Sequence, residues 1–251
     1  MNTVVLNRAM RTLLLGGLLA APAAAQQLPT AMELHDKHIQ ALGGADAIRK
    51  HTMLHATGSF EIPAQGVSGT IEIWGAVPDK MVSVQDVPGV GTIKSGFDGT
   101  VGWQINPMTG ASLLTGKQLE QAKQQSDLHA VVNPDKYIQS METVEKTTFD
   151  GKDAYKVKVV TRSGEEYFEF YDPTTGLNAG LTRKIESQMG PIEATTIVSD
   201  YKDVDGQLVP MKMRQSAMGF ESIIVINKVE FTGVDPALFE LPGEIKALTG
   251  K

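Results

Sequence analysis

YKVKVVTRSGEEYFEFYDPTTG, residues 155–176, decides how this chain folds. Tyr155, Val157 and Val159 alternate with Lys156 and Lys158, and Phe168 and Phe170 alternate with Tyr167, Glu169 and Tyr171. Successive side chains of a strand point to opposite faces, so this period of two marks two half-buried strands. The run ends in Asp172-Pro173-Thr174-Thr175-Gly176, where Asp, Pro and Gly each favour a reversal of the backbone.

The same grammar extends in both directions. Ile71 and Ile73 alternate with Glu72 and Trp74, and Asp98-Gly99, Asp150-Gly151 and Asp205-Gly206 are hairpin turn pairs. Counting such runs gives about twelve strands at the 8 to 12-residue spacing of an up-and-down sheet or barrel. Crossover helices are missing between them, so the sheet is expected to be antiparallel. No linker, charge run or low-complexity tract interrupts the pattern, and residues 26–251 read as one domain.

Two longer helices are set into this series. Thr30 and Glu33 form a capping-box pattern, and Met32, His35, Ile39 and Leu42 repeat along one face before Gly43 and Gly44 stop the helix. A shorter helical piece, residues 45–50, follows. A second helix is predicted over about Thr115 to His129, with Thr115 and Gln118 as its capping pattern. Its face of Leu119, Ala122, Ser126 and His129 is thinly apolar, which suits an element that covers something lightly or moves.

Residues 1–25 read as a cleavable signal peptide. Arg8 and Arg11 precede the apolar run Leu13-Leu14-Leu15-Gly16-Gly17-Leu18-Leu19-Ala20, and Ala23-Ala24-Ala25 supplies small residues before Gln26. The run is shorter than the roughly 20 apolar residues of a membrane-spanning helix. Met10 is an equally good start, because Met10 to Ala25 holds every part of a signal. No cysteine follows, so no lipid anchor is expected on the mature N-terminus.

Composition narrows the partners. The chain carries 29 acidic and 23 basic residues, a net charge of −6. Loss of Arg8 and Arg11 leaves about −8, which argues against nucleic acid. Stability must come from burial, since there is no disulfide to help, and the length suffices for a sizeable core. Export of an acidic, cysteine-free protein fits a soluble, monomeric protein of the Gram-negative periplasm. An outer-membrane barrel would need strands of about ten residues with aromatic girdles. Aromatic residues are scarce here, and the chain ends in the polar Thr249-Gly250-Lys251.

The order of elements resembles a known family. A signal, a first helix ending at Ala41-Leu42-Gly43-Gly44, a run of hairpins, a helical insertion midway and hairpins to the end resemble the outer-membrane lipoprotein-sorting (LolA-like) superfamily. Further points of likeness are Tyr171-Asp172-Pro173-Thr174-Thr175-Gly176-Leu177, Arg183 and Lys184, Asp200-Tyr201-Lys202-Asp203-Val204-Asp205-Gly206, and Leu208-Val209-Pro210. The resemblance implies a mainly β (α+β) fold. One strongly curved antiparallel sheet of about 11 strands would form an unclosed half-barrel with helices over its concave apolar face. It also implies a site for acyl chains of lipids or lipoproteins, or, as in some relatives, a sensor of envelope components. No local motif maps the family's ligand-contacting arginine onto Arg49, Arg162, Arg183 or Arg214.

A carrier of acyl chains needs a large apolar cavity, since each buried CH₂ contributes about 0.8 kcal/mol. The candidates for its wall are Ile71, Ile73, Trp74, Met81, Trp103, Phe168, Phe170, Met189, Met211 and Met213, with Leu119 and Ala122 on the lid helix. Met211 and Met213 share a face with Val209, and flexible thioethers adapt to variable apolar ligands. An ordinary core explains these methionines equally, and packing under a helix explains the two tryptophans.

Catalytic patterns are weak. His35 with His38, and His51 with His55, have spacings usable by a metal, but His35-Asp36-Lys37-His38 lacks a glutamate base and a third ligand. His35 falls on the apolar helix face, where a hydrogen-bonded structural histidine is expected. Gly110 to Lys117 has one residue too many for a phosphate loop, and Gln118 stands where a magnesium-binding hydroxyl belongs. Gly89-Val90-Gly91 precedes a strand pattern instead of a helix, unlike a dinucleotide fingerprint. No Gly-x-Ser-x-Gly elbow is present. No metal or cofactor is expected. Three classes stay open: a carrier of lipid or lipoprotein acyl chains, a sensor or scaffold that binds another inner- or outer-membrane envelope protein, and an enzyme whose site is assembled from distant strands.

Overall fold

The structure is a computed structural model, and it describes residues 27–187 and 190–250. The segment read as a signal peptide and Met189 lie outside these residues. The chain enters through α1 (Ala31–Ala41) and α2 (Ala45–Lys50). It then runs through β1 (Met53–Ile62), β2 (Val67–Ala76), β3 (Lys80–Val87), β4 (Gly91–Phe97), β5 (Gly102–Asn106) and β6 (Gly110–Leu113). α3 (Gly116–Ser126) and two short 3₁₀ turns, Ala130–Val132 and Pro134–Lys136, come next. Seven strands follow: β7 (Ile138–Phe149), β8 (Lys152–Thr161), β9 (Glu166–Tyr171), β10 (Asn178–Ser187), β11 (Gly190–Val204), β12 (Gln207–Ala217) and β13 (Phe220–Glu230). A 3₁₀ turn, Pro236–Phe239, and α4 (Gly243–Thr249) close the chain.

All thirteen strands form one antiparallel sheet in the order β6-β5-β4-β3-β2-β1-β13-β12-β11-β10-β9-β8-β7. The path is simple. The chain walks outward from β1 to one edge at β6, crosses by residues 114–137 to the opposite edge at β7, and walks back until β13 pairs with β1. β6 and β7 are not paired with each other, so the sheet is an unclosed half-barrel, with two strands more than the expected eleven. The crossing segment, which carries α3, is thus the one that bridges the two edges.

The turns carry their expected chemistry. Asp150 with Gly151 and Asp205 with Gly206 all adopt positive φ, the geometry of the tight hairpin turn that matches strand twist. Asp172 Oδ1 accepts the backbone N–H of Thr174 and Thr175 at 2.7 and 2.9 Å. The long edge strand β7 is protected against pairing with other chains by charged residues, Glu142, Glu145 and Lys146, and by register shifts near Ile138 and Thr143.

α1 is fixed at both ends. Thr30 Oγ1 accepts from the Glu33 N–H at 3.2 Å while Glu33 Oε2 accepts from the Thr30 N–H at 2.7 Å, a closed capping box. At the far end Gly43 has φ +111°, and a Cβ there would sit 2.2 Å from the Gly206 carbonyl oxygen. Only glycine lets the α1–α2 corner press this closely onto the β11–β12 turn, where the Leu208 N–H donates to Leu42 O at 2.9 Å. The buried stripe of α1 is Ala31, Leu34, His35, His38 and Ile39. Met32, expected on that stripe, is 49% exposed. The stripe is rotated by about one position because two histidines serve as core residues, which a purely apolar pattern passes over.

α3 departs further from expectation. It ends at Ser126, three residues early, because Asp127 turns the chain by accepting the His129 N–H on Oδ1 at 2.9 Å. His129 therefore leaves the helix face, and its Nε2 donates to His51 O at 2.9 Å. The Thr115 side chain makes no capping bond, so the second capping box does not form.

Candidate functional site

Strand parity decides which side chains can meet inside the half-barrel. On β9 the odd residues Tyr167 and Tyr171 pack under α1, in one cluster with Ala31, Leu34, Val157 and Val159. Their neighbours Phe168 and Phe170 then point to the opposite face. There Phe170 stacks on Phe149 with ring centroids 3.9 Å apart, and the Lys156 ammonium lies 4.5 Å from the centre of Phe168. On β2, Ile71 and Ile73 face the concave side and Trp74 the other, stacked on His55 at 5.5 Å.

The concave face holds a cavity of about 830 Å³, within the size range of small-molecule sites. Its apolar wall comes from Leu54 on β1, Ile71 and Ile73 on β2, Met81 on β3, Val198 on β11 and Met213 on β12. Ala122, Gln121, Gln124 and Gln125 of α3 roof it, and Leu128 and Val131 follow from the crossing segment. The opposite side, from β7 to β10, gathers the polar groups Glu165, Tyr167, Glu169, Tyr171 and Arg183 beside the apolar Ile138, Met141, Val159 and Leu181, and is termed the polar wall. A cleft of half that volume, about 410 Å³, lies elsewhere, between Lys80, Asp98 and the C-terminal Phe239 and Lys246.

Of the residues proposed from sequence, Ile71, Ile73, Met81, Met213 and the roof residue Ala122 lie together around the cavity. Trp74, Trp103, Phe168, Phe170, Met211 and Leu119 do not line it. Trp74 and Trp103 pack with Val82, Val234, Phe239 and Ile245 on the outer face, beneath the C-terminal segment. Met211 shares the parity of Met213 but is buried among Ala56, Ile226 and Val229. Leu119 rests on β5, next to the edge strand, instead: a Cβ at Gly102 would lie 2.9 Å from its Cδ1, so the glycine makes room for it. Sequence reasoning missed Leu54, the three glutamines and the whole polar wall. The Tyr167-x-Glu169-x-Tyr171 alternation was the signal available for that wall.

The roof is tethered at its C-terminal end. Buried Asp127 accepts from Tyr137 Oη and Lys136 Nζ, both at 2.8 Å. Burial opposes its charge, but these bonds and the His129 N–H hold the carboxyl below its ordinary range. Tyr137 is pushed up to about 12 by burial, which keeps it a donor. Arg49 donates to Val132 O at 3.1 Å, and His35 Nε2 to Val131 O at 2.9 Å, pinning the segment onto α1 and α2. His35 is thus the hydrogen-bonded histidine of the apolar face. α3 itself is held by lighter contacts, with Gln121 donating to both Glu165 oxygens at 3.0 and 3.1 Å.

The polar wall has its own order. Tyr171 donates to Glu169 Oε2 at 2.5 Å, and burial holds the Tyr167 and Tyr171 phenols far above their ordinary range, so both stay protonated. Burial also raises the Glu169 carboxyl, with Tyr171, His35 and Tyr167 pulling the other way. Arg183 sits 3.8 Å from Glu165 and over the Tyr167 ring. His38, buried beside Tyr171, is lowered to about 4 by burial and by the neighbouring His35, and its Nδ1 accepts the Asn178 N–H at 3.2 Å. Among the described residues no group of three His, Cys, Asp or Glu is placed to hold a metal ion.

A one-sheet half-barrel roofed by a crossing helix has solved counterparts. A LolA superfamily protein from Nitrosomonas europaea superposes with a TM-score of 0.57 over 85% of this chain and 99% of its own, at 12% identity. The fold is LolA-like. A DUF1329 family protein from Desulfovibrio piger shares this LolA-like arrangement with a TM-score of 0.58, 13% identity and coverage of 83% and 96%. So does a candidate outer membrane lipoprotein-sorting protein domain from Vibrio parahaemolyticus, at 0.53, 12%, 82% and 97%. Neither a family model nor a curated protein sequence matches the chain. No described helix is long and apolar enough to cross a membrane.

Proposed function

We propose that this is an exported, periplasmic binding protein that holds an acyl chain of a lipid or lipoprotein in the concave cavity and carries it between membranes. The observation that supports it most is the cavity itself: about 830 Å³, walled on one side by Leu54, Ile71, Ile73, Met81, Val198 and Met213. Its roof is tied down at one end by Asp127, and along α3 it rests on Leu119, Ala122, Gln121, Gln124 and Gln125. Apolar walls reward chain burial at about 25 cal/mol per Å². Methionines at two wall positions accommodate chains that differ in length or branching.

The N-terminal signal supplies the address. Residues 1–25 direct export and are removed, and the mature chain begins at Gln26. The experiment is mass spectrometry of protein isolated natively from periplasm, run intact and after organic extraction. The expected result is a polypeptide starting at Gln26 with stoichiometric acyl-chain lipid. A protein that is lipid-free when isolated, and that takes up no added long-chain amphiphile, contradicts the proposal.

A further inference from the structure

The polar wall has a chemistry that discriminates among end groups of a chain in the cavity, an inference that rests on the carrier reading above. His35 is only 7% exposed and lines the cavity. Its Nε2 faces the Val131 carbonyl, which can only accept, so in the neutral ring Nε2 bears the proton and Nδ1 is a lone pair. That Nδ1 is buried and has no partner among the described residues. A buried acceptor left unsatisfied costs free energy, which a donor on a ligand removes.

Glu169 lies on the same wall. Tyr171 occupies Oε2, but none of the ion pairs among the described residues includes Glu169. The nearby cation, Arg183, is offset by Glu165. His38, the other histidine at this end, is kept neutral by burial and has its Nδ1 occupied. The wall therefore offers a lone pair, the Glu169 carboxyl, whose charge burial disfavours and a bound cation would restore, and the faces of Tyr167 and Tyr171, and among the described residues its one arginine, Arg183, is already paired with Glu165. This combination of acceptors and aromatic rings is complementary to an ammonium ion.

We propose that the cavity selects long-chain amphiphiles whose polar end is a protonated amine, seated against Glu169 and His35 Nδ1 with the chain along the apolar wall. The amine N–H groups donate to both acceptors, and its charge balances the carboxylate. Three probes of equal chain length separate the terms: dodecylamine, dodecanol and dodecanoate, measured below their micellar concentrations by displacement of an environment-sensitive fluorophore. Dodecylamine is expected to bind at least about tenfold more tightly than dodecanoate, with dodecanol between them. In Glu169→Gln the amine advantage over dodecanol is expected to shrink to about twofold.

Dodecanoate binding as tightly as dodecylamine to the unmodified protein overturns the inference and leaves the carrier reading intact. So does an amine preference that survives Glu169→Gln. Failure of all three probes to bind overturns both. Because the comparison in the unmodified protein is decisive by itself, the inference stays testable if the variant does not fold.

Discussion

α1 and α3 are both eleven residues long, and both are preceded by a threonine with Glu or Gln three positions on. Their fates differ. α1 closes its capping box and buries five residues, three of them against the strands β8 and β9. α3 has no side-chain cap and buries only Ser126. The difference teaches that local helix signals set where a helix can start, while the burial of its stripe sets whether it is a wall or a cover. α1 is part of the wall. α3 is a cover, anchored through Asp127 and resting on the cavity by polar and single apolar contacts.

The sharpest way to break this contrast is to empty a site under each helix. Leu34→Ala, in the main cluster, is expected to cost about 3 kcal/mol, whereas Leu119→Ala costs under about 1 kcal/mol. Urea unfolding measures both, and equal losses would abolish the distinction.

A smaller effect, about 2 kcal/mol, follows from His38 on α1. Its folded value of about 4 lies below the 6.5 of the free side chain, so the unfolded chain binds the proton more readily. Stability from this group is complete above about pH 6.5 and is lost as pH falls toward 4. Between pH 7 and 4.5 the unfolding free energy should drop by about 2 kcal/mol on this account, and His38→Gln should flatten that part of the profile. A His38→Gln profile as steep as the parent's would show that α1 is not held this way. α3 has no such buried neutral histidine.

The smallest effect compares the caps. Thr30→Ala is expected to lower stability by about 1 kcal/mol, and Thr115→Ala by no more than a few tenths. Thermal unfolding of the two variants side by side reads the difference, and similar shifts would mean that α3 is capped in solution.

Period and turn chemistry made the sheet legible. Tyr155 to Gly176 announced β8, β9 and their turn, and Asp-Gly pairs announced the hairpins, because parity and positive φ are local properties. The cavity was half legible. Ile71, Ile73, Met81 and Met213 are apolar residues whose parity turns them to the cavity, but Trp74, Phe168 and Phe170 are equally apolar and face away from it. Which face of a two-sided strand turns inward depends on what covers it, here α1 over Tyr167 and Tyr171 and the C-terminal segment over Trp74 and Trp103. That is long-range information. The polar wall was illegible for a related reason: Glu169 reads as a solvent-facing strand residue until the helices are laid over it.

Amide hydrogen exchange, followed by mass spectrometry with and without saturating dodecanol, reads the mobility of α3 over the cavity. Gly116–Ser126 should exchange faster than Ala31–Ala41 in the free protein and gain at least about tenfold protection when the chain is bound, with α1 unchanged. Bound dodecanol that leaves α3 unprotected, or that protects α1 and α3 alike, would contradict a chain held beneath a movable cover.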